Sequence, residues 1–417
     1  MPPALKIHIP SHQRHSCICC GRCCRRFRVL LRPGEIAGLE QLDWGADNPC
    51  PGRFWEKFGG YPYFKRRQDG ACVFLGDDDL CLMHARFGFD VKALTCRGYP
   101  YNFVSTWPGE VSVLARLDCP AALRNQGELI SKNRRYLEQL AAELRFGGGF
   151  TEAQLQGLKR PALELLCQTL RQELQDNRHP PALSVTYLML LVHKWEKLGA
   201  NFLNDLPTLK EVMPSLLEKS RTEAESQLRK QAGLSAFSRT FFRQMLSAYI
   251  LRDEEMLDTG LKARIDKAWQ LGRIIFGAGN LARFGYEHPD FELGKNSIFL
   301  PDNQEHPQPT IWAPWRRFME LRLETLQFFA FAYYDVPFFV GLKALLLCYP
   351  LTLALARIHA ASQNRQKLEE ADLLYAVAAI DHCHGRSPRL KFRFCRQTEQ
   401  YFSSHRFPAL ITELGQS

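Results

Sequence analysis

The residues that bear most directly on chemistry are cysteines near the start of the chain. The stretch Ser16-Cys17-Ile18-Cys19-Cys20-Gly21-Arg22-Cys23-Cys24-Arg25-Arg26 puts five thiols in eight positions, and Cys17, Cys20, Cys23 and Cys24 form a C-x-x-C-x-x-C-C array. Buried cysteine behaves as a small hydrophobe, but a cluster set among arginines is not a core pattern. Thiolates are the ligands that soft metals select. The array therefore predicts a bound metal or metal cluster in preference to a disulfide knot.

Cys72, Cys81, Cys96 and Cys119 bring the N-terminal set to eight. Eight thiolates suit two four-cysteine sites, either two zinc ions or an iron–sulfur cluster with a second centre. Cys23 and Cys24 are neighbours in sequence, so their side chains are expected to diverge and to serve different metal atoms. The Cys17-x-x-Cys20-x-x-Cys23 pitch is that of loops that wrap an iron–sulfur cluster, and Cys119-Pro120 resembles the dipeptide that supplies a remote ligand in such proteins. Zinc accepts almost any pairing of C-x-x-C ligands, so spacing leaves both metals open. The C-x3-C-x2-C pattern of radical S-adenosylmethionine chemistry does not occur, because Arg26 and Phe27 occupy the third positions. Cys19 and Cys50 fall off the spacing, and Cys19 reads as a spectator or an alternative ligand. Cys167, Cys348 and Cys395, in helical, apolar or basic contexts, read as packing residues.

Composition frames this set. The 417 residues are 46% hydrophobic and 24% charged, as a globular chain of two or three domains would be. The net charge is +10, and residues 1–40 carry seven Lys/Arg against two Glu. Thiolates bound to metal are anionic, and the arginines offset that charge; nucleic acid is therefore not the expected partner. Ten of the 14 cysteines lie within residues 1–119, and Met1–Pro10 has no apolar segment of the signal-peptide kind. Chelation in a reducing cytoplasm is expected, not a disulfide framework. The most apolar run, Ala344–Ala356, is broken by Pro350. It is shorter than the roughly 20 residues that span a bilayer, so no membrane segment is expected and the run reads as a buried core helix.

The elements that must position the thiols are short. Residues 1–15 read as extended and partly disordered. Phe27–Leu31 reads as a strand, and Pro33 and Glu35 open a helix near Ile36–Leu42. Residues 47–60 read as turns. Cys72–Leu75 and Leu80–Met83 flank Gly76-Asp77-Asp78-Asp79 and predict a hairpin that presents Cys72 and Cys81, with a helix from His84. Tyr101–Thr106 and Val111–Leu117 predict two strands. Beyond Glu128 the pattern turns helical: Arg134–Leu144, Thr151–Leu174, Leu183–Leu198, a solvated helix over Lys210–Lys230, two core helices within Trp312–Ala360, and Leu368–Ile380. Residues 290–310 read as a long loop. The expected fold is α+β: a small metal-organised, cysteine-rich domain with short strands at 1–125, then a mostly helical domain at 126–417.

The combination of motifs resembles a known family. Cys17-x-x-Cys20-Gly-x-Cys23-Cys24, Cys72-x-Phe74-Leu75, Cys81-x-x-His84, Cys96-Arg97-x-Tyr99-Pro100 and Asp118-Cys119-Pro120 are similar, in type and order, to the YkgJ-type cysteine-cluster proteins. These are zinc- or iron-chelating domains and include the flagellin lysine N-methylase FliB. The resemblance covers residues 16–125, and Asp381-x-x-His384-Gly385 before Arg386-Ser387-Pro388 extends it to longer members. It implies metal or cluster binding on Cys17, Cys20, Cys23, Cys24, Cys72, Cys81, Cys96 and Cys119. For the enzymatic members it further implies S-adenosylmethionine as cofactor and a protein lysine as substrate. Electron transfer within a larger complex is a third expectation.

No nucleotide loop accompanies the methyltransferase expectation. Gly147-Gly148-Gly149 and Phe276-Gly277-Ala278-Gly279-Asn280 do not follow a strand of a βαβ unit and read as helix breaks. In Asp381-His382-Cys383-His384, His384 could ligate a metal with Asp381 orienting a ring, or the group could simply end a helix at a left-handed Gly385. His84 reads as a ligand or a hydrogen-bond partner of a thiolate, Arg97 as a cation that steadies the centre, and Tyr99 and Tyr101 as packing. No Gly-x-Ser-x-Gly, His-Glu-x-x-His or phosphate-binding loop is present, so hydrolase and kinase chemistry has no support.

Overall fold

The computed structural model describes residues 5–415 apart from 145, 231–232, 252–259, 286, 295–297 and 299–308. It is α+β overall: a small N-terminal region of short strands and cysteines precedes a long helical part. The strands are β1 (Lys6–His8), β2 (Trp55–Phe58), β3 (Tyr61–Phe64), β4 (Tyr101–Ser105) and β5 (Glu110–Ala115). Short helices separate them: α1 (Arg22–Arg26), α2 (Pro33–Glu40), α3 (Leu82–Phe87), α4 (Leu94–Gly98) and α5 (Pro120–Leu123). The helical part comprises α6 (Arg134–Leu144), α7 (Glu152–Leu155), α8 (Arg160–Gln175), α9 (Pro181–Leu203), α10 (Leu206–Lys230), α11 (Ala236–Ile250), α12 (Leu261–Ile275), α13 (Ala313–Glu324), α14 (Phe338–Leu346), α15 (Cys348–Ser362), α16 (Glu370–Cys383), α17 (Arg393–Phe402) and α18 (Phe407–Glu413).

One sheet has the order β1-β5-β4, with β1 parallel and β4 antiparallel to β5. Val111, Val113, Leu114 and Ala115 are all buried, as expected of a central strand covered on both faces. The buried Gln13 extends the pairing beyond β1, with its side-chain amide bonding both ways to the Ala115 backbone at 2.6 and 2.8 Å. The second sheet is the β2–β3 hairpin.

Two apolar cores result. A small one, formed by Val29, Leu31, Trp44, Phe54, Phe64 and Phe74 with their neighbours, takes in Cys72. Trp44 stacks on Phe74 at 5.3 Å between centroids, and Phe64 meets Phe74 edge-on at 5.1 Å. The large core joins β5 to the helices, so it includes residues on both sides of position 125. In α16, Leu373, Ala376, Val377 and Ile380 are buried at helical spacing. The stretch Phe338–Ser362 is long and apolar enough to cross a membrane, longer than the run read from the sequence, but 89% of its most apolar window is buried inside the protein.

Several local expectations change. Residues 6–8 are a sheet strand, because β5 offers them a free edge. Phe27–Leu31 is not a strand; a single bridge from Leu30 to Tyr63 marks its passage past β3. The turn expected at 47–60 gives way to β2 from Trp55. Thr151–Leu174 splits into α7 and α8, because Gln156 and Gly157 have φ of 53° and 77° and Pro161 opens α8. Three helices, α13 to α15, occupy Trp312–Ala360 where two were expected. Much of the loop expected at 290–310 lies outside the described residues.

Candidate metal centre

The thiols come from separate chain segments. Cys23 and Cys24 sit on α1, which Gly21 starts. Gly21 has φ of 60°, and a Cβ there would meet Asp79 Oδ1 at 2.7 Å, so the array packs directly on the 76–79 turn. Arg25 pairs with Asp79 at 2.6 Å. The turn forms where expected, but not as a two-stranded hairpin: Gly76 N–H donates to the Leu80 carbonyl and Leu82 N–H to that of Phe74, at 2.8 and 2.9 Å, a single bridge joins Leu75 to Cys81, and α3 already begins at Leu82. Cys72 N–H donates to the Cys24 carbonyl at 2.8 Å, which fixes the two segments side by side. Cys81 precedes α3, and Cys96 lies in α4.

Cys23, Cys24, Cys72, Cys81 and Cys96 line one cleft of about 440 Å³. The Cys23 and Cys24 sulfurs are 3.9 Å apart and face the same space. The expectation that these neighbours diverge is therefore corrected: a one-turn helix followed by extended backbone turns both inward. Tetrahedral zinc with Zn–S of about 2.3 Å needs sulfurs about 3.8 Å apart, so this pair fits a shared ion. Among the described residues, the trio of His, Cys, Asp or Glu donors gathered within 4.8 Å is His12, Glu320 and Glu324. No three of the described cleft thiols lie within 4.8 Å of one another.

The other three predicted ligands lie apart from the cleft. Cys17 and Cys20 are exposed, and Cys119 is buried at the start of α5. A Cys20 thiolate is near enough to repel one at Cys119. The eight cysteines therefore divide into five around the cleft and three outside it. Cys50 packs at the edge of the small core, its thiol 3.6 Å from the Arg53 carbonyl. Cys167, Cys348 and Cys395 are buried in the helical part.

Without a cation, four of these thiols, Cys23, Cys72, Cys96 and Cys119, resist ionisation. Burial pushes Cys72 up to about 12 and Cys119 up to about 11. Burial, then repulsion from Cys72, raises Cys96. The hydrogen bond with Cys24, then burial, raises Cys23. Gathered thiolates repel one another, and a bound cation is what makes several of them stable together.

Lys92 is the cation that acts on Cys23 and Cys96. It sits in an irregular loop, and nothing in its sequence context singled it out. The expectation for Arg97 is corrected: its guanidinium pairs with Glu143 of α6 at 2.8 and 3.2 Å, drawn there by a carboxylate that sequence distance concealed. His84 is exposed, edge-on to Phe89 at 5.6 Å between centroids, and is not among the residues lining the cleft. Tyr99 and Tyr101 do line it.

Behind the cleft lies a buried charge network. Arg26 and Arg116 pair with Asp118, and Arg26 also pairs with Glu287. His382 Nδ1 lies 3.1 Å from Asp118 Oδ2. Asp381 accepts from Arg322 at 2.6 Å, from Arg386 at 3.3 Å and from the Leu117 backbone N–H at 2.8 Å. Burial raises the Asp118 and Asp381 carboxyls, but the arginines outweigh it and hold both below the usual range. Asp381 and His382 therefore anchor the end of α16 to the segment carrying Cys119. His384 follows α16, with Gly385 left-handed at φ 79°. Its ring stacks on Tyr333 at 4.2 Å, and Nδ1 lies 3.3 Å from Tyr249 Oη and 3.4 Å from Cys348 Sγ.

Comparison with known proteins adds little. No family model matches the chain. An uncharacterized protein of Methanocaldococcus jannaschii is 25% identical over 134 residues, 32% of this chain and 45% of that protein. The chain thus matches less than half the length of that relative. No solved structure matches.

Proposed function

We propose that this is a metal-binding protein that holds zinc or an iron–sulfur cluster on its N-terminal cysteines, in a small metal-organised region. The observation that carries the reading is the convergence of five thiols on one cleft from four places in the chain, with two sulfurs at 3.9 Å. The donor set is all sulfur, which suits both metals and excludes the hard oxygen-seeking cations. Cys17, Cys20 and Cys119 supply a second group of donors beside it.

The test is metal and acid-labile sulfide content of protein purified without oxygen. Iron with sulfide identifies a cluster; zinc without sulfide identifies a chelating or structural module. Cys96→Ser should lose metal and Cys348→Ser should retain it. Equal content in both variants would refute the ligand assignment. A reversible redox couple would make the centre an electron carrier. Thermal stabilisation by S-adenosylmethionine would point instead to methyl transfer onto a protein lysine.

A further inference from the structure

The cleft is larger than its sulfurs require. Its volume of about 440 Å³ lies in the range of small-molecule sites, about 300–1,000 Å³. Its walls away from the thiols are apolar and aromatic: Phe27 and Tyr99 form a ring pair 4.9 Å apart, and Tyr101, Phe103 and Leu144 continue the surface. Four cationic side chains line it and no carboxylate does.

The four cations are not equivalent. Arg28 lies 3.6 Å from Glu56, and Arg116 pairs with Asp118. Lys92 acts on the thiols. Arg32 is different. It is exposed at the mouth, where the cleft meets a surface hollow formed with Ala142, Glu143 and Leu144. Its guanidinium donates to the Glu143 carbonyl at 3.3 Å, and no carboxylate pairs with it among the described residues. Charge balance at the thiols accounts for Lys92 but leaves Arg32 unexplained.

We infer that the cleft binds a small organic acid with an apolar or aromatic body, its carboxylate held at Arg32 and its body lying on the aromatic wall toward the thiols. An arginine fork suits a planar carboxylate, which it can bind through two parallel N–H bonds. Binding rests on the cleft alone; that the bound molecule faces a metal rests on the function proposed above.

The experiment is calorimetry on the full chain, purified without oxygen and with metal content measured, using 3-phenylpropionate, its neutral amide, and propionate. The phenyl acid should bind about tenfold or more tightly than the amide, the ratio expected of one such bond, and more tightly than propionate. Arg32→Gln should bring the acid to the level of the amide while metal content and melting temperature stay unchanged. Phe103→Ala should weaken acid and amide alike. Equal binding of acid and amide, or no binding of either by metal-replete protein, would overturn the inference and leave the metal reading standing. Discrimination by protein that holds no metal would overturn the metal reading and leave the acid site standing.

Discussion

Asp381→Asn offers a direct measure of what joins the cysteine-rich region to the helices. The carboxylate is 1% exposed, as is its partner Arg322. It accepts from two guanidinium groups and from the Leu117 backbone N–H. The asparagine keeps the shape but removes the charge, which leaves Arg322 buried without its counter-ion. Removing one partner of a buried pair costs about 3–5 kcal/mol. Unfolding entropy of about 2.1 cal/mol/K per residue gives roughly 0.9 kcal/mol/K for a chain this long, so the melting temperature should fall by about 3–6 °C. Arg322→Met should cost a similar amount, and the two changes together should cost clearly less than the two costs added, because each removes the other's reason to be charged. The assay is thermal and urea unfolding of the four proteins by circular dichroism. A fall of less than about 1 °C for Asp381→Asn, or strict additivity in the double variant, would refute the argument that this pair is dry and mutually dependent.

Three further outcomes follow from particular contacts. Gly341 in α14 lies against the backbone of Phe328 and the side chain of Phe329, where a Cβ would overlap both; Gly341→Ala should destabilise by about 1–3 kcal/mol in urea unfolding, as overpacking does, and a neutral result would mean α14 shifts freely. His384 is held well below the usual histidine value by burial, then by Arg322 and Arg386. The unfolded chain therefore takes up a proton below about pH 6.5 that the folded chain refuses, so this contribution to stability is complete above that pH and declines by about 1.4 kcal/mol per unit below it. His384→Phe should remove that part of the slope, and an unchanged slope refutes the assignment. Gly21→Ala must force a positive φ on alanine and crowd Asp79; it should lower metal content without altering the far-ultraviolet spectrum.

The sequence made the thiols legible because their spacing carries information that does not depend on the fold. The turn between Cys72 and Cys81 was legible for a related reason: glycine and three aspartates in a row allow little but a turn, although the runs beside it do not pair as strands. The strands at Tyr101 and Val111 and most of the helices showed through their periodicity. What stayed hidden depends on partners distant in sequence. Lys6–His8 has no strand pattern of its own and becomes one only because β5 has an edge to fill. Arg97 was set beside Cys96 by sequence, but its guanidinium pairs with Glu143. Lys92 and Arg32, which give the cleft its charge, are ordinary surface residues until the fold brings them to its rim. The division of the eight cysteines into five and three was equally invisible, since it follows from where α1 and α5 end up.

The exposed part of the array, residues 17–20, is fastened at both ends. Upstream, Ser16 N–H bonds the Gln126 carbonyl at 3.2 Å, and Ser16 Oγ accepts from Glu128 N–H at 3.1 Å. Downstream, Gly21 abuts Asp79, and Arg26 is buried against Asp118. Cys17, Cys19 and Cys20 thus ride on a short clasp whose hinges are already set. Ordering its backbone costs about 1–2 kcal/mol per residue. Structural zinc contributes about 10–16 kcal/mol in small thiolate sites. On the function proposed above, an ion bound there would more than offset the ordering of those few residues.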